Sequence, residues 1–377
     1  MKLSAASADA AQSLASRSAD DPAANLDELV SLLDFEPAAQ RRMSHSTWEY
    51  FSSGVADEIT LRWNREAYDR LRLRPRVLVD VSEIDTRISL FGQELPHPIL
   101  LAPAADQRMI HPEGELATAR GAGADTTFVL SSFTNTTLEE VASNASGPLW
   151  FQLYVQRDRG FTRDVVQRAE AAGCKALCVT VDTPTFGPRN RQARAKYELA
   201  PGLSRPHLPP ATKGNVGRSG LQVFPDWVEP ALTWRDIGWI SSICKIPVLL
   251  KGVLNPEDAD RAAKEGVAGI IVSNHGARNL DTVPATVDAL QQVADRVAGR
   301  IPVLVDGGIR RGTDVVKALA LGANAVLIGR PYLYGLAIAG CDGVQRVIEI
   351  LRNELEMTMG LLGRTSIQAI DRSAIWS

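Results

Sequence analysis

Few residues in this chain can move a proton near neutral pH. Of five histidines, His45, His97, His111 and His207 lie in the leader or in loops beside proline, whereas His275, in SNHGARNLD, follows an apolar run directly. Asp182 ends another such run; a carboxylate beside an imidazole orients it and raises its pKa, as a general base requires. A lone histidine is more often structural, so the weight rests on its neighbours. Arg278 stands three residues on, and Arg189 opens a long loop. Together they could clamp a carboxylate in bidentate fashion, although Arg189 could simply be a solvated side chain. Lys251 closes a nearly apolar run, a costly place for an ammonium without a negative partner, and a cofactor that becomes anionic would supply one. Two Gly-rich turns, DGGIRRG (306–312) and IGRP (328–331), suit a phosphate held by backbone N–H groups, with Arg330 as a charged contact.

These residues must be positioned by a repeating framework. From residue 98 the chain alternates short apolar runs with helix-like segments, and eight runs can be counted: 98–103, 126–132, 148–154, 176–182, 247–252, 268–274, 302–307 and 324–329. Continuous apolar runs predict strands buried on both faces, and strict alternation predicts a parallel sheet. Eight near-even units favour an α/β fold of the closed (β/α)8 TIM-barrel type over a doubly wound sheet. In such a barrel the chemistry lies at the strand C-termini. Those ends carry Pro103, Ser131, Gln152 with Tyr154, Thr180 with Asp182, Lys251, Ser273 with His275 and Arg278, Asp306, and Gly329 with Arg330. Any one of them could merely cap a helix; their joint placement is the signal.

The expected helices are 26–35, 46–54 and 58–73 before the barrel, then 112–124, 164–173, 256–266 and 312–322 within it. Residues 183–232, after strand 4, form a long Pro-rich and Gly-rich loop that reads as a cover for the barrel mouth or as a surface excursion. Residues 1–25, with 14 Ala or Ser, read as a flexible tail, and 26–377 as one barrel domain with an N-terminal helical extension.

With 377 residues, 45% hydrophobic and 23% charged, the composition is that of a globular chain, and a net charge of −3 gives no field for nucleic acid or anionic membrane. No apolar run approaches the roughly 20 residues that span a bilayer. Four cysteines, Cys174, Cys178, Cys244 and Cys341, make neither a disulfide framework nor a paired zinc pattern, so no metal is expected and a reducing, cytoplasmic location fits.

The chain resembles the FMN-dependent α-hydroxy-acid oxidase and dehydrogenase family, which includes glycolate oxidase, lactate oxidase and mandelate dehydrogenase. The resemblance runs over about residues 45–370 and is carried by YFSSGVADEITLRWN (50–64), LRPRVL (73–78), LAPAADQRMIHPEGE (101–115), FQLYV (151–155), TVDTP (180–184), KGV (251–253), IVSNHGARNLD (271–281), DGGIRRGTDV (306–315) and IGRP (328–331). It implies that FMN meets Pro103, Ala104 and Ala105, with Ser131, Gln152, Thr180, Lys251 and Ser273 around the flavin. The FMN phosphate would lie on Asp306, Gly307, Gly308 and Arg310 and on Gly329 and Arg330. On the substrate side it implies Tyr50, Tyr154, Arg189, His275 and Arg278, with Asp182 paired to His275. The implied activity is that of an (S)-2-hydroxy-acid oxidase-like enzyme making a 2-oxo acid, with His275 as base and Lys251 stabilising the reduced anionic flavin.

Phe133 stands where glycolate oxidase has Trp; with Phe186 it suggests a pocket for an apolar or aromatic side chain. Asp106, beside the expected flavin loop, is unusual: turned into the pocket it would disfavour a substrate carboxylate, and turned outward it would be solvated. Ala105 and the absence of a haem-like module favour O2 as acceptor with H2O2 release; a soluble dehydrogenase with another acceptor is the alternative. A non-redox FMN isomerase and a non-catalytic flavin-binding protein are alternatives of another class. The resemblance also implies a homotetramer.

Overall fold

The computed structural model describes residues 26–209 and 229–376. The proposed 1–25 tail and part of the strand-4 loop lie outside these residues. Eight parallel strands close into a barrel: β1 Ile99–Leu101, β2 Phe128–Ser131, β3 Leu149–Leu153, β4 Leu177–Thr180, β5 Val248–Lys251, β6 Gly269–Val272, β7 Val303–Asp306 and β8 Ala325–Ile328. Each pairs with its sequence neighbour, and β8 returns to β1 through the Val326–Ile99, Leu327–Leu100 and Ile328–Leu101 register. Every residue of these strands is buried, as continuous apolar runs with helices outside and side chains inside demand.

The helices are α1 Leu32–Arg42, α2 His45–Ser52, α3 Ile59–Arg70, α4 Gly114–Ala122, α5 Leu138–Asn144, α6 Arg159–Ala171, α7 Trp234–Ile243, α8 Pro256–Lys264, α9 Thr286–Val297, α10 Gly312–Ala320 and α11 Arg330–Leu362, with a short helix Asn190–Arg194 after β4. Their caps are largely local chemistry. Asn255 caps α8 ahead of Pro256, and Thr137 with Glu140 forms a capping box on α5. Three expected helices change bounds; the one expected over 58–73 stops at Arg70, and Arg72–Leu73 forms a short strand instead. The helix expected at 26–35 begins at Leu32, because Ser31 caps it in a box with Asp34, and it continues through Pro37 to Arg42. The helix expected at 164–173 starts earlier, because Asp158 accepts the Phe161 N–H and caps α6.

The N-terminal helices pack on the barrel: Leu32, Phe35, Ala67 and Tyr68 are almost wholly buried. Two small sheets were not anticipated. A hairpin pairs Ile88–Leu90 with Gln93–Leu95, and its Phe91 meets Trp150 at the start of β3, with ring centroids 5.5 Å apart. The Phe91 ring also comes so close to Gly269, where β6 begins, that a Cβ there would lie 2.9 Å from it, so the hairpin packs at the strand N-termini. Arg72–Leu73, just after α3, pairs antiparallel with Ile375–Trp376 at the C-terminal end of the described chain. α11 is kinked at Ala339 and Gly340, where the backbone leaves helical angles. Among the described residues no helix is long and apolar enough to cross a membrane.

Candidate active site

The C-terminal ends of the strands open into a cleft of about 1060 Å³, including its mouth. Lining it are Tyr50, Pro103, Ala104, Ala105, Ser131, Phe133, Gln152, Tyr154, Thr180, Phe186, Arg189, Lys251, His275, Arg278, Asp306, Gly307, Gly308, Arg310, Gly329 and Arg330. Asp182 and Ser273 stand behind that lining, each bonded to a group that belongs to it. Phe51, Gly276 and Leu333 also line the cleft; they carry no reactive atom by which sequence reasoning could have singled them out.

Sheet register does much of the positioning. Ser131 pairs with Gln152, and Thr180 with Lys251. Gln152 therefore spans three strands, accepting from Ser131 Oγ at 3.1 Å and donating to Thr180 Oγ1 at 2.9 Å. Lys251 Nζ reaches Ser273 Oγ at 2.9 Å and Asp306 Oδ2 at 3.0 Å. Lys251 thus has a resident negative partner, and no cofactor charge is needed to account for its burial. Burial opposes the ammonium form, but Asp306 and Asp182 outweigh it and hold the Lys251 pKa above its ordinary value.

His275 follows β6 in a left-handed conformation (φ 58°), as do Gly276 and Ala277 (both φ 60°). Left-handed angles at non-glycine residues cost on the order of 1–3 kcal/mol each and persist where surrounding bonds over-determine them. Here Asn274 supplies those bonds: its side-chain oxygen accepts the Ala277 N–H, and its amide exchanges hydrogen bonds with Asn64 of α3 at 2.8 and 3.0 Å. The turn aims the imidazole so that Nδ1 meets Asp182 Oδ1 at 3.0 Å and Nε2 lies 3.3 Å from the Tyr154 hydroxyl. Asp182 orients the ring as expected, but burial, the larger effect, lowers the His275 pKa below its usual value despite the pull of Asp182 in the opposite direction. A neutral imidazole able to accept a proton results.

Arg278 is pushed down to about 9, chiefly by burial and then by Arg189; it donates to the carbonyls of Tyr50 and Ser53 and lies over the Tyr50 ring. Arg189 is no free surface side chain: its Nε bonds the Arg278 carbonyl and its guanidinium lies over Phe186. Among the described residues neither arginine forms an ion pair with a carboxylate.

Asp106 fits neither expectation. It is fully buried, yet it is absent from the cleft lining. Its carboxylate is held by Arg205 at 2.8 and 2.6 Å, by the Tyr197 hydroxyl at 3.2 Å and by Asn135 at 3.3 Å. Arg205 supplies its counter-charge, so Asp106 gives no reason to expect that a substrate carboxylate is disfavoured. Tyr197 and Arg205, both on the strand-4 loop, escaped sequence reasoning because only the fold brings them to Asp106.

The opposite end of the cleft suits a phosphate-bearing ligand. Gly307 and Gly308 have positive φ (98° and 81°), and a Cβ on Gly308 would fall 1.9 Å from the Asn64 carbonyl oxygen. Asp314 fixes this turn by accepting the N–H groups of Arg310 and Arg311 at 2.9 and 3.0 Å. Among the described residues the Arg310 and Arg330 guanidiniums bond only carbonyl oxygens, and Gly329 leaves the N-terminus of α11 without a side-chain cap. Uncapped N–H groups with two guanidiniums favour an anion. Asp306 Oδ1 is buried and has no hydrogen-bond partner among the described residues, as a site for a ligand hydroxyl would be. The residues present fit a flavin mononucleotide.

A closed (β/α)8 barrel with Gly-rich turns after β7 and β8 and a histidine–carboxylate pair at the strand ends has the form of a cofactor-dependent barrel enzyme. The model of the FMN-dependent dehydrogenase family matches residues 39–377, and the chain belongs to that family. It is similar to L-lactate oxidase of Nostoc sp., 49% identical over 354 residues, covering 91% of this chain and 97% of the relative. Glycolate oxidase of Spinacia oleracea is 45% identical over 353 residues, covering 92% and 96%. Among solved structures, mandelate oxidase with (S)-4-hydroxymandelic acid superposes with a TM-score of 0.86 at 39% identity, covering 92% of this chain and 98% of that one. A mutant flavocytochrome b2 with pyruvate bound gives 0.85 at 37%, covering 93% and 87%. The cofactor is FMN, and the chain is an FMN-dependent oxidoreductase of 2-hydroxy acids.

Proposed function

We propose that the protein oxidises a 2-hydroxy acid with an apolar side chain to the 2-oxo acid, with His275 as base and O2 as electron acceptor. The observation that carries this reading is a neutral, Asp182-oriented imidazole beside two guanidiniums that meet no carboxylate among the described residues. Arg189 and Arg278 bind the substrate carboxylate, and Tyr50 and Tyr154 orient its oxygens. His275 Nε2 accepts a proton as the substrate is oxidised, and Asp182 stabilises the imidazolium that forms. Bound FMN supplies the two-electron acceptor. The residues that would hold it are Pro103–Ala105, Ser131, Gln152, Thr180, Lys251 and Ser273 at the ring, and Asp306–Arg310 with Gly329 and Arg330 at the phosphate.

Phe133 lies 5.2 Å from Tyr154 and 6.5 Å from Phe186 between ring centroids, an aromatic wall that supports an apolar substrate side chain. Small Ala105 and relatives named as oxidases support O2. The test is anaerobic mixing of holoenzyme with aliphatic and aromatic 2-hydroxy acids, followed by air. Bleaching of the flavin and rapid recovery with H2O2 are expected; slow recovery would replace O2 by another acceptor, and no bleaching by any acid would remove the reading.

A further inference from the structure

We propose that Asp106 and Arg205 are a positioning pair that fastens the stretch 197–205 of the strand-4 loop over the substrate wall and so sets substrate affinity without touching the reacting atoms. The substrate in this inference is that of the proposed function, on which its kinetic part rests.

The pair is built from both sides. Asp106, after β1, has a left-handed backbone (φ 53°), and its N–H donates to the Phe133 carbonyl at 3.0 Å, which joins the ends of β1 and β2. Glu115 of α4 braces the same place by accepting the Asn135 N–H at 2.9 Å and the Thr136 hydroxyl at 3.0 Å. The carboxylate of Asp106 is thereby fixed by the barrel, while both of its strongest partners belong to the loop. Arg205 grips it with two parallel bonds, the strongest geometry for such a pair, and its guanidinium lies 4.8 Å from the Phe133 centroid. Tyr197 donates to the same carboxylate and stacks on Tyr50 at 3.9 Å with an 11° interplanar angle. One buried carboxylate therefore seats two loop side chains against two residues of the cleft.

Contacts of this kind act alike on bound substrate and transition state, so they change KM more than kcat. The experiment compares holoenzyme with Asp106→Asn, Arg205→Gln, the double variant and Arg205→Lys, each matched for FMN content. The double variant removes both charges and guards against misfolding caused by an unpaired buried Asp106. Two readouts are taken: tryptic cleavage after Arg194 and Lys196, and steady-state kinetics with an acid that reduces the wild type. The expected results are cleavage about tenfold faster or more, and KM up about tenfold with kcat changed by less than about threefold. The double variant should be no worse than the worse single one, and Arg205→Lys should lie between it and wild type. Unchanged cleavage and KM, additive single effects, or a loss confined to kcat would overturn the proposal. The proteolysis needs no substrate: if no 2-hydroxy acid reduces the wild type, the functional reading falls while cleavage still decides the pair.

Discussion

At the scale of single residues, the proposed chemistry turns on a histidine whose surroundings pull in two directions. Burial lowers the His275 pKa and Asp182 raises it, with burial the stronger. The basic form is therefore the resting form at neutral pH, and kcat/KM should be flat there and fall as pH drops through a pKa below about 6.5. Asp182→Asn removes the group that raises the pKa, so the acidic limb of the profile should move to still lower pH. The plateau rate should fall about 10²- to 10⁴-fold because the imidazolium loses its counter-charge. A limb that moves to higher pH would refute this balance. The identities of His275, Asp182, Arg189 and Arg278 were legible because each stands at a strand end or loop start in a recognisable pattern. The sign of the His275 shift was not, because desolvation is a property of packing. Asp106 was misjudged for the same reason: its partners Tyr197 and Arg205 lie 91 and 99 residues away.

At the scale of elements, apolar runs announced all eight strands, since strands buried on both faces keep their few polar residues at or near their C-terminal ends, where Ser131, Gln152, Thr180, Lys251 and Asp306 face the cleft. The hairpin at 88–95 was missed because three-residue strands carry too little periodicity, and α6 was started late because its capping Asp158 precedes an unremarkable polar turn. Closeness of elements yields a prediction at Gly308. Its positive φ and its approach to the Asn64 carbonyl mean that Gly308→Ala must push α3 away from the Gly307–Gly308 turn proposed to hold the phosphate. A loss of about 1–3 kcal/mol in stability is expected, with FMN affinity down at least about tenfold, measured by denaturant unfolding and flavin fluorescence. Retained affinity would mean that the turn does not hold the phosphate.

At the scale of the whole molecule, a nearly neutral chain gathers Arg189, Arg278, Arg310 and Arg330 around one cleft, and Arg278 is lowered partly by Arg189 and Arg330. Mutual repulsion there burdens the apo-protein, and an anionic cofactor relieves it. Added FMN should stabilise the apo-protein by about 2.7 kcal/mol at a hundredfold excess over Kd, read as a rise in Tm. Arg330→Met should reduce that rise, and an equal rise in wild type and variant would place the phosphate elsewhere. The homotetramer implied by the resemblance belongs to this scale too. Val77, Leu78 and Leu361 are strongly exposed apolar side chains, and the Arg76 N–H bonds the Leu362 carbonyl, so they fall near one another. Light scattering should give about 163 kDa, four times 40.8 kDa; a monomer mass would exclude that assembly.

The most direct test of the central claim is the rate of flavin bleaching on rapid anaerobic mixing of a 2-hydroxy acid with wild-type holoenzyme and with His275→Gln, matched for FMN content. Wild type should bleach within the first turnover, and the variant should bleach about 10²- to 10⁴-fold more slowly while still binding the 2-oxo acid product. Equal bleaching rates in the two proteins would contradict the assignment of His275 as the base.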